Sequence, residues 1–132
     1  MFRALKKEAK YYLWDWSEVK EEGPRFENLV ASHLLKWCHN FEDREGFRVG
    51  LYYLRDLEKR EVDFLILWED RPWLLVECKI KNDRNLTSLN YYKRKLNVPQ
   101  SFLVTLEGKA EFEDRRTGIR VIPADRFLMG LV

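Results

Sequence analysis

The chain has 132 residues, with 24 Lys plus Arg against 22 Asp plus Glu, for a formal charge of +2. That length suits a single domain spanning 1–132 around one core, and 45% apolar with 14% aromatic residues excludes a disordered or low-complexity chain. The longest uncharged apolar runs, Phe64–Trp68 and Trp73–Val76, fall far short of the roughly 20 residues that span a bilayer, so no membrane association is expected. No apolar segment follows the basic start Met1-Phe2-Arg3-Ala4-Leu5-Lys6-Lys7, which argues against a secretory leader. Cys38 and Cys78 have no framework spacing and read as reduced thiols of a cytoplasmic protein.

Residues 1–22 read as a basic and aromatic N-terminal extension, and 23–132 as the core. Within the extension, Tyr11-Tyr12-Leu13-Trp14-Asp15-Trp16 has the aromatic content of a short strand. Gly23-Pro24 breaks the chain with Pro placed to open a helix. From Pro24 to about Asn40, Phe26, Leu29, Val30, His33, Leu34, Trp37, Cys38 and, just past that end, Phe41 recur at helical spacing. Strands follow at Phe47–Leu54, Val62–Trp68 and Leu74–Ile80, the last two joined at Glu69-Asp70-Arg71-Pro72 as an antiparallel hairpin. Arg84–Leu96 is a second helix, with Leu86, Leu89, Tyr92 and Leu96 as its stripe. Ser101–Leu106 is apolar almost throughout and predicts a central strand. Residues 110–114 and 119–122 can pair around Arg115-Arg116-Thr117-Gly118, and Pro123 can start a short last helix. The result is an α/β (α+β) fold with a mixed sheet flanked by helices and core order αβββαβ.

Four charged residues stand where a purely structural sequence prefers apolar ones: Asp63, Glu77 and Lys79 inside strand runs, and Glu27 in the first helical turn. Alternation places Glu77 and Lys79 on one strand face, with Cys78 on the other. A hairpin centred near Asp70 puts Asp63 opposite Glu77 on that face. Two carboxylates so close repel, and the charge requires a positive partner. Lys79 can neutralise one, whereas a divalent cation can bridge both. The oxygen-only donor set favours Mg²⁺ or Mn²⁺ over zinc. Such a site suits phosphodiester hydrolysis, with Lys79 countering the developing negative charge.

Asp63, then Glu77-Cys78-Lys79 between apolar flanks, downstream of a helix bearing Glu27, resembles the PD-(D/E)XK nuclease superfamily, which includes restriction endonucleases, Holliday junction resolvases and RecB-type nucleases. More closely, Phe26-Glu27-Asn28-Leu29-Val30-Ala31, Glu61-Val62-Asp63-Phe64, Val76-Glu77-Cys78-Lys79 and Ile122-Pro123-Ala124-x-x-Phe127-Leu128 resemble the nuclease-like C-terminal domain of a group of prokaryotic AAA+ ATPases. Lys10, Tyr12 and Asp15 roughly follow the Lys-x-Tyr-x-x-x-Asp pattern that precedes that domain.

The resemblance implies a restriction-endonuclease-like fold and a Mg²⁺-dependent endonuclease acting on DNA. Asp63 and Glu77 would be metal ligands, helped by the Cys78 carbonyl, with Glu27 reaching the metal through water and Lys79 as the catalytic lysine. Resolvase relatives are dimers, which by analogy implies a homodimer. The chain departs from the pattern in having Val62 before Asp63 where Pro is common, and Ser88 where RecB-like relatives place a Gln ahead of Tyr92. It has no Walker A sequence, so an ATPase module would lie in a longer or a separate chain. The alternative is a non-catalytic interaction or regulatory module of such an ATPase, binding protein or nucleic acid. A blander reading has Lys79 merely pairing with Glu77 and Asp63.

Lys81, Arg84, Lys93, Arg94 and Lys95 form a basic run suited to a phosphate backbone, against the bland reading of a solvated helix end. Of Tyr91 and Tyr92, one is expected in the core. His33 and Cys38 read as core residues, and Trp68 and Trp73 as packing or interface residues.

Overall fold

Pro24 sits in the first turn of helix α1 (Glu22–Glu45), where its missing N–H costs no hydrogen bond and its fixed φ suits the helix. The computed structural model describes residues 2–4, 22–55, 57–58, 60–81 and 84–131; the strand expected at Tyr11–Trp16 lies outside the described residues. The stripe read from the sequence becomes the inner face of α1, with Phe26, Val30, Ala31, Leu34 and Cys38 buried. The helix runs past its expected end near Asn40 because Phe41 still packs, its ring 4.8 Å from Trp37 and 5.0 Å from Trp68. Gly46, at φ 76°, then stops it.

One seven-stranded mixed sheet follows, in the order β1-β2-β3-β4-β5-β7-β6. Its strands are β1 (Phe2–Ala4), β2 (Val49–Arg55), β3 (Glu61–Trp68), β4 (Arg71–Lys79), β5 (Gln100–Thr105), β6 (Phe112–Glu113) and β7 (Arg120–Pro123). The pairs from β1 to β4 are antiparallel, whereas β5 lies between parallel neighbours β4 and β7. That central place explains its apolar run. Strands β6 and β7 pair around the Arg115–Gly118 turn as the sequence suggests. The short edge strand β1 was not anticipated; two of the three residues are Phe2 and Ala4, too few to show a period.

Helix α2 (Thr87–Leu96) carries the chain from β4 to β5, and helix α3 (Ala124–Met129) closes the chain, so the order from α1 is αβββαβ. The helices cover both sheet faces. Residues Phe64, Ile66, Leu74, Val76 and Cys78 pack with α1 and α3, and Val62, Leu65, Leu75, Leu103 and Val121 pack with Leu89 and Tyr92 of α2. Among the described residues, no helix is long and apolar enough to cross a membrane.

The β3–β4 hairpin ends in an aromatic cluster: Trp68 and Trp73 have ring centroids 5.4 Å apart, and Trp37 stacks on Trp73 at 5.2 Å. Its turn places Glu69 at φ 49° and Asp70 at φ 66°, so both central residues are left-handed, as a type I′ turn demands. Glu69 suits that conformation poorly, and Asp70 tolerates it less readily than glycine would. Replacing them together (Glu69→Asn with Asp70→Gly) is expected to raise stability by about 1 kcal/mol. The lost Arg48–Asp70 ion pair, at 3.0 Å with side chains 71% and 66% exposed, is worth little in water. A urea titration that shows a lower midpoint for the double variant contradicts this reading of the turn.

Candidate functional site

The site is built at the far end of the hairpin from its turn, where β3 and β4 part. Between β2 and β3 the register passes from Tyr52↔Leu65 to Leu54↔Val62, so the single residue Tyr53 stands opposite two, Asp63 and Phe64. This is a β-bulge on β3. Its effect shows in the core: Val62 and Leu65 both belong to the α2 side, whereas Phe64 belongs to the α1 side. The extra residue turns Asp63 toward α1 with Phe64.

Two groups meet Asp63 there. Its Oδ2 accepts the Cys78 N–H at 2.8 Å, and Glu27, from the first turns of α1, makes a side-chain hydrogen bond to it. From Phe64↔Val76 to Ile66↔Leu74 the hairpin register is the one expected from the sequence; it slips by one residue between Ile66 and Leu67 toward the turn, and the pairing ends before Asp63. The shared face does not follow, because the bulge reorients Asp63. Cys78 lies in the α1-side core, so Glu77 and Lys79 alternate to the side of Leu75. Lys79 Nζ lies 4.0 Å from Glu77 Oε1, with side chains 34% and 13% exposed. The two pairs, Glu27 with Asp63 and Lys79 with Glu77, lie near enough across the β3–β4 seam for their charges to act on one another.

Their charges are coupled. Burial chiefly, then Asp63 and Glu61, push the Glu27 carboxyl up to about 7, with Lys79 opposing and Glu77 adding to the rise. Burial also pushes Asp63 up to about 6, against the Cys78 N–H, Lys79 and Glu27, which all stabilise its charged form. Glu27 and Asp63 are thus both held toward their protonated forms, with a side-chain hydrogen bond between them. Burial, followed by the charges of Asp63, Glu27 and Glu77, holds the Cys78 thiol well above its ordinary range. A thiol kept protonated is no thiolate ligand, which leaves Cys78 its main chain to contribute. Cys38 is buried under α1 and pushed up to about 12, an inert core thiol.

Oxygen donors are the chemistry a hard divalent cation takes, and two of these carboxyls, Glu27 and Asp63, are desolvated side by side. In the arrangement seen, the Cys78 N–H and the hydrogen bond between Glu27 and Asp63 offset part of that desolvation. No group of three or more His, Cys, Asp or Glu side chains among the described residues is spaced to hold a metal ion.

The basic residues divide. Lys81, Arg84, Arg94 and Lys95 are exposed, and Lys93 is half-buried. The Arg84 guanidinium sits 4.8 Å from the Phe112 ring centroid, and Lys95 Nζ donates to the Tyr91 hydroxyl at 3.1 Å. Tyr92 is the core tyrosine, fully buried, with its hydroxyl donating to the Arg60 carbonyl at 3.1 Å. Tyr91 lies under the Arg60 guanidinium, 3.6 Å from its ring centroid. His33 is half-buried, its Nδ1 2.9 Å from the Leu29 carbonyl oxygen. Sequence reasoning missed Arg116 and Thr117, which join Asn90 and Arg94 around one cleft. The Asp114-x-x-Thr117-Gly118 pattern signalled a hydrogen-bonded turn there, but not what the turn faces.

The fold and the seam together define a mixed α/β domain with an acid–lysine pocket at the parting of two sheet strands. The chain belongs to the family described as Domain of unknown function (DUF4143), which matches residues 22–127. This family is often found in the C-terminal regions of AAA ATPases. Neither the curated proteins nor the solved structures contain a match to the chain.

Carboxyls whose folded-state pKa is raised stabilise the fold most below their unfolded values, and that contribution is lost as pH rises through about 6 for Asp63 and about 7 for Glu27. In EDTA, the urea midpoint is therefore expected to fall from about pH 5 to about pH 8. Glu27→Gln, which keeps the donor without the titration, should flatten the decline. An undiminished decline in that variant contradicts the assignment.

Proposed function

We propose that the pocket of Glu27, Asp63, Glu77 and Lys79 is a divalent-cation-dependent phosphodiesterase site acting on DNA. The observation that carries this reading is the convergence of three acids and a lysine, from helix α1 and two neighbouring strands, on one largely desolvated seam. A structural ion pair needs one acid for one lysine; two further carboxylates, both forced toward protonation, destabilise the pocket unless they serve something else. Glu27, Asp63 and Glu77, with the Cys78 main-chain carbonyl, would hold Mg²⁺ or Mn²⁺. When bound, that ion supplies Lewis-acid stabilisation of charge on a scissile phosphate.

The chain's own groups divide the remaining work. Lys79, a third exposed and beside Glu77, would offset the charge of a phosphate oxygen. Glu77, tethered to Lys79, can orient an attacking water or accept its proton. Asp63 is held in one orientation by the Cys78 N–H, so the bulge supplies preorganisation. The family's frequent place in AAA ATPase C-terminal regions supports a setting in which such a domain works beside an ATPase module.

A second reading is a non-catalytic module that binds protein or nucleic acid for that ATPase. It is favoured by one observation: Asp63 Oδ2 is already committed to the Cys78 N–H, and the acids are not spaced around an ion.

Incubation of the purified protein with supercoiled and linear DNA in Mg²⁺ or Mn²⁺ separates the two. The nuclease reading expects cleavage that Asp63→Asn or Lys79→Ala reduces about 10²-fold or more. Absence of cleavage with either metal, together with no Mn²⁺ binding by calorimetry and unimpaired partner binding in both variants, supports the module instead.

A further inference from the structure

Away from the acid seam, Asn90 and Arg94 of α2 and Arg116 and Thr117 of the β6–β7 turn line a cleft of about 500 Å³. We propose that this cleft seats a backbone phosphate of a bound nucleic acid, an inference that rests on the phosphodiesterase reading for the identity of the ligand.

The turn is built to hold its arginine in place. Asp114 Oδ2 accepts the Thr117 N–H at 2.9 Å and the Thr117 hydroxyl at 2.6 Å. The Thr117 Oγ1 in turn accepts the Ile119 N–H at 3.2 Å. The Gly118 N–H donates to the Asp114 carbonyl at 2.7 Å, and Asp114 N–H to the Ile119 carbonyl at 2.8 Å. Gly118 takes φ 74°, and a Cβ there would lie 3.7 Å from Lys93 Nζ, so a third cation stands over the turn. The Asp114 carboxylate faces the turn's own donors, chiefly Thr117, and the Arg116 charge also acts on it, though not as a close ion pair. Arg94 and Arg116 have no ion-pair partner among the described residues. The opposite wall is also fixed: α2 ends in a left-handed Asn97, whose N–H and that of Val98 return to the Arg94 and Lys93 carbonyls.

Two exposed guanidinium groups on rigid supports, with an amide and a threonine beside them, match the planar, multi-oxygen shape of a phosphate. A polyanion fits better than a small anion because the positive groups continue beyond the cleft to Lys93 and to Arg84 on the Phe112 ring. The register also relates the cleft to the seam. Glu77 is level with Leu103 and Leu103 with Val121, so Val121 lies two strand spacings, about 10 Å, from Glu77, and the Arg116–Thr117 turn lies further off, before β7 begins. Glu77 and Lys79 alternate to the same side of the sheet as α2. A strand carrying one charge per about 3.4 Å of axis can offer phosphates to both places.

The test is fluorescence anisotropy with a labelled DNA duplex over a range of salt, in EDTA so that no hydrolysis contributes. Arg94→Ala with Arg116→Ala is expected to weaken binding about tenfold and to lower the slope of log affinity against log salt by about 2. The charge-matched pair Lys36→Ala with Arg44→Ala, exposed on α1 in the opposite layer, is expected to leave the slope unchanged. Parent-like affinity and slope in the Arg94/Arg116 variant, or no DNA binding by the parent, overturns the proposal. Calorimetry with inorganic phosphate separates the sources: phosphate binding that needs both arginines, while DNA binding does not, makes the cleft a small-anion site and also overturns it. Loss of DNA binding in a variant of a parent that cleaves nothing would retire the hydrolytic reading and leave the cleft standing.

Discussion

One extra residue in one strand organises this pocket. In a regular β3, Asp63 would alternate with Phe64 and point to the side of α2; the bulge opposite Tyr53 puts both on the side of α1. There it finds Glu27 and the Cys78 N–H, and a carboxylate that would otherwise be an unpaired buried charge gains two hydrogen bonds. Without the bulge, the helix-borne acid and the strand-borne acid would face different layers.

The rest of the fold serves that placement by separating stability from chemistry along the hairpin. At the turn end, Trp37, Phe41, Trp68 and Trp73 interlock between α1 and the sheet, with ring centroids 4.8–5.4 Å apart. From Trp73 to Lys79 is about 20 Å of extended strand. The acids therefore sit where the ladder opens, far from the densest aromatic packing. That packing fixes α1 against the sheet and so fixes where Glu27 arrives. The cost falls on the carboxyls themselves: burial holds both Glu27 and Asp63 toward protonation, and the Asp63 charge adds to the rise at Glu27.

Much of this was legible in the residues. Helical spacing announced α1 and α2, and an uninterrupted apolar run announced the central β5. The Glu69-Asp70 break announced the hairpin, because each is a local pattern. Asp63, Glu77, Lys79 and Glu27 stood out as charges among apolar neighbours, and the structure brings Glu27 to Asp63 and Lys79 to Glu77. What stayed hidden was long-range. A bulge is set by the partner strand, so alternation alone put Asp63 on the face of Glu77. The extension of α1 to Glu45 depends on Phe41 meeting Trp68, a contact across 27 positions of sequence. The cleft of Arg94 and Arg116 joins a helix end to a hairpin tip that no sequence period connects.

The claim that matters most is that this seam is a cation pocket rather than a protonated acid cluster. A crystal grown with MnCl₂ near neutral pH and measured for anomalous scattering tests it directly. A manganese peak bounded by Asp63 and Glu77, with Glu27 drawn off its hydrogen bond to Asp63, is the result expected. A crystal with no peak at the seam, and Glu27 still bonded to Asp63, would contradict it.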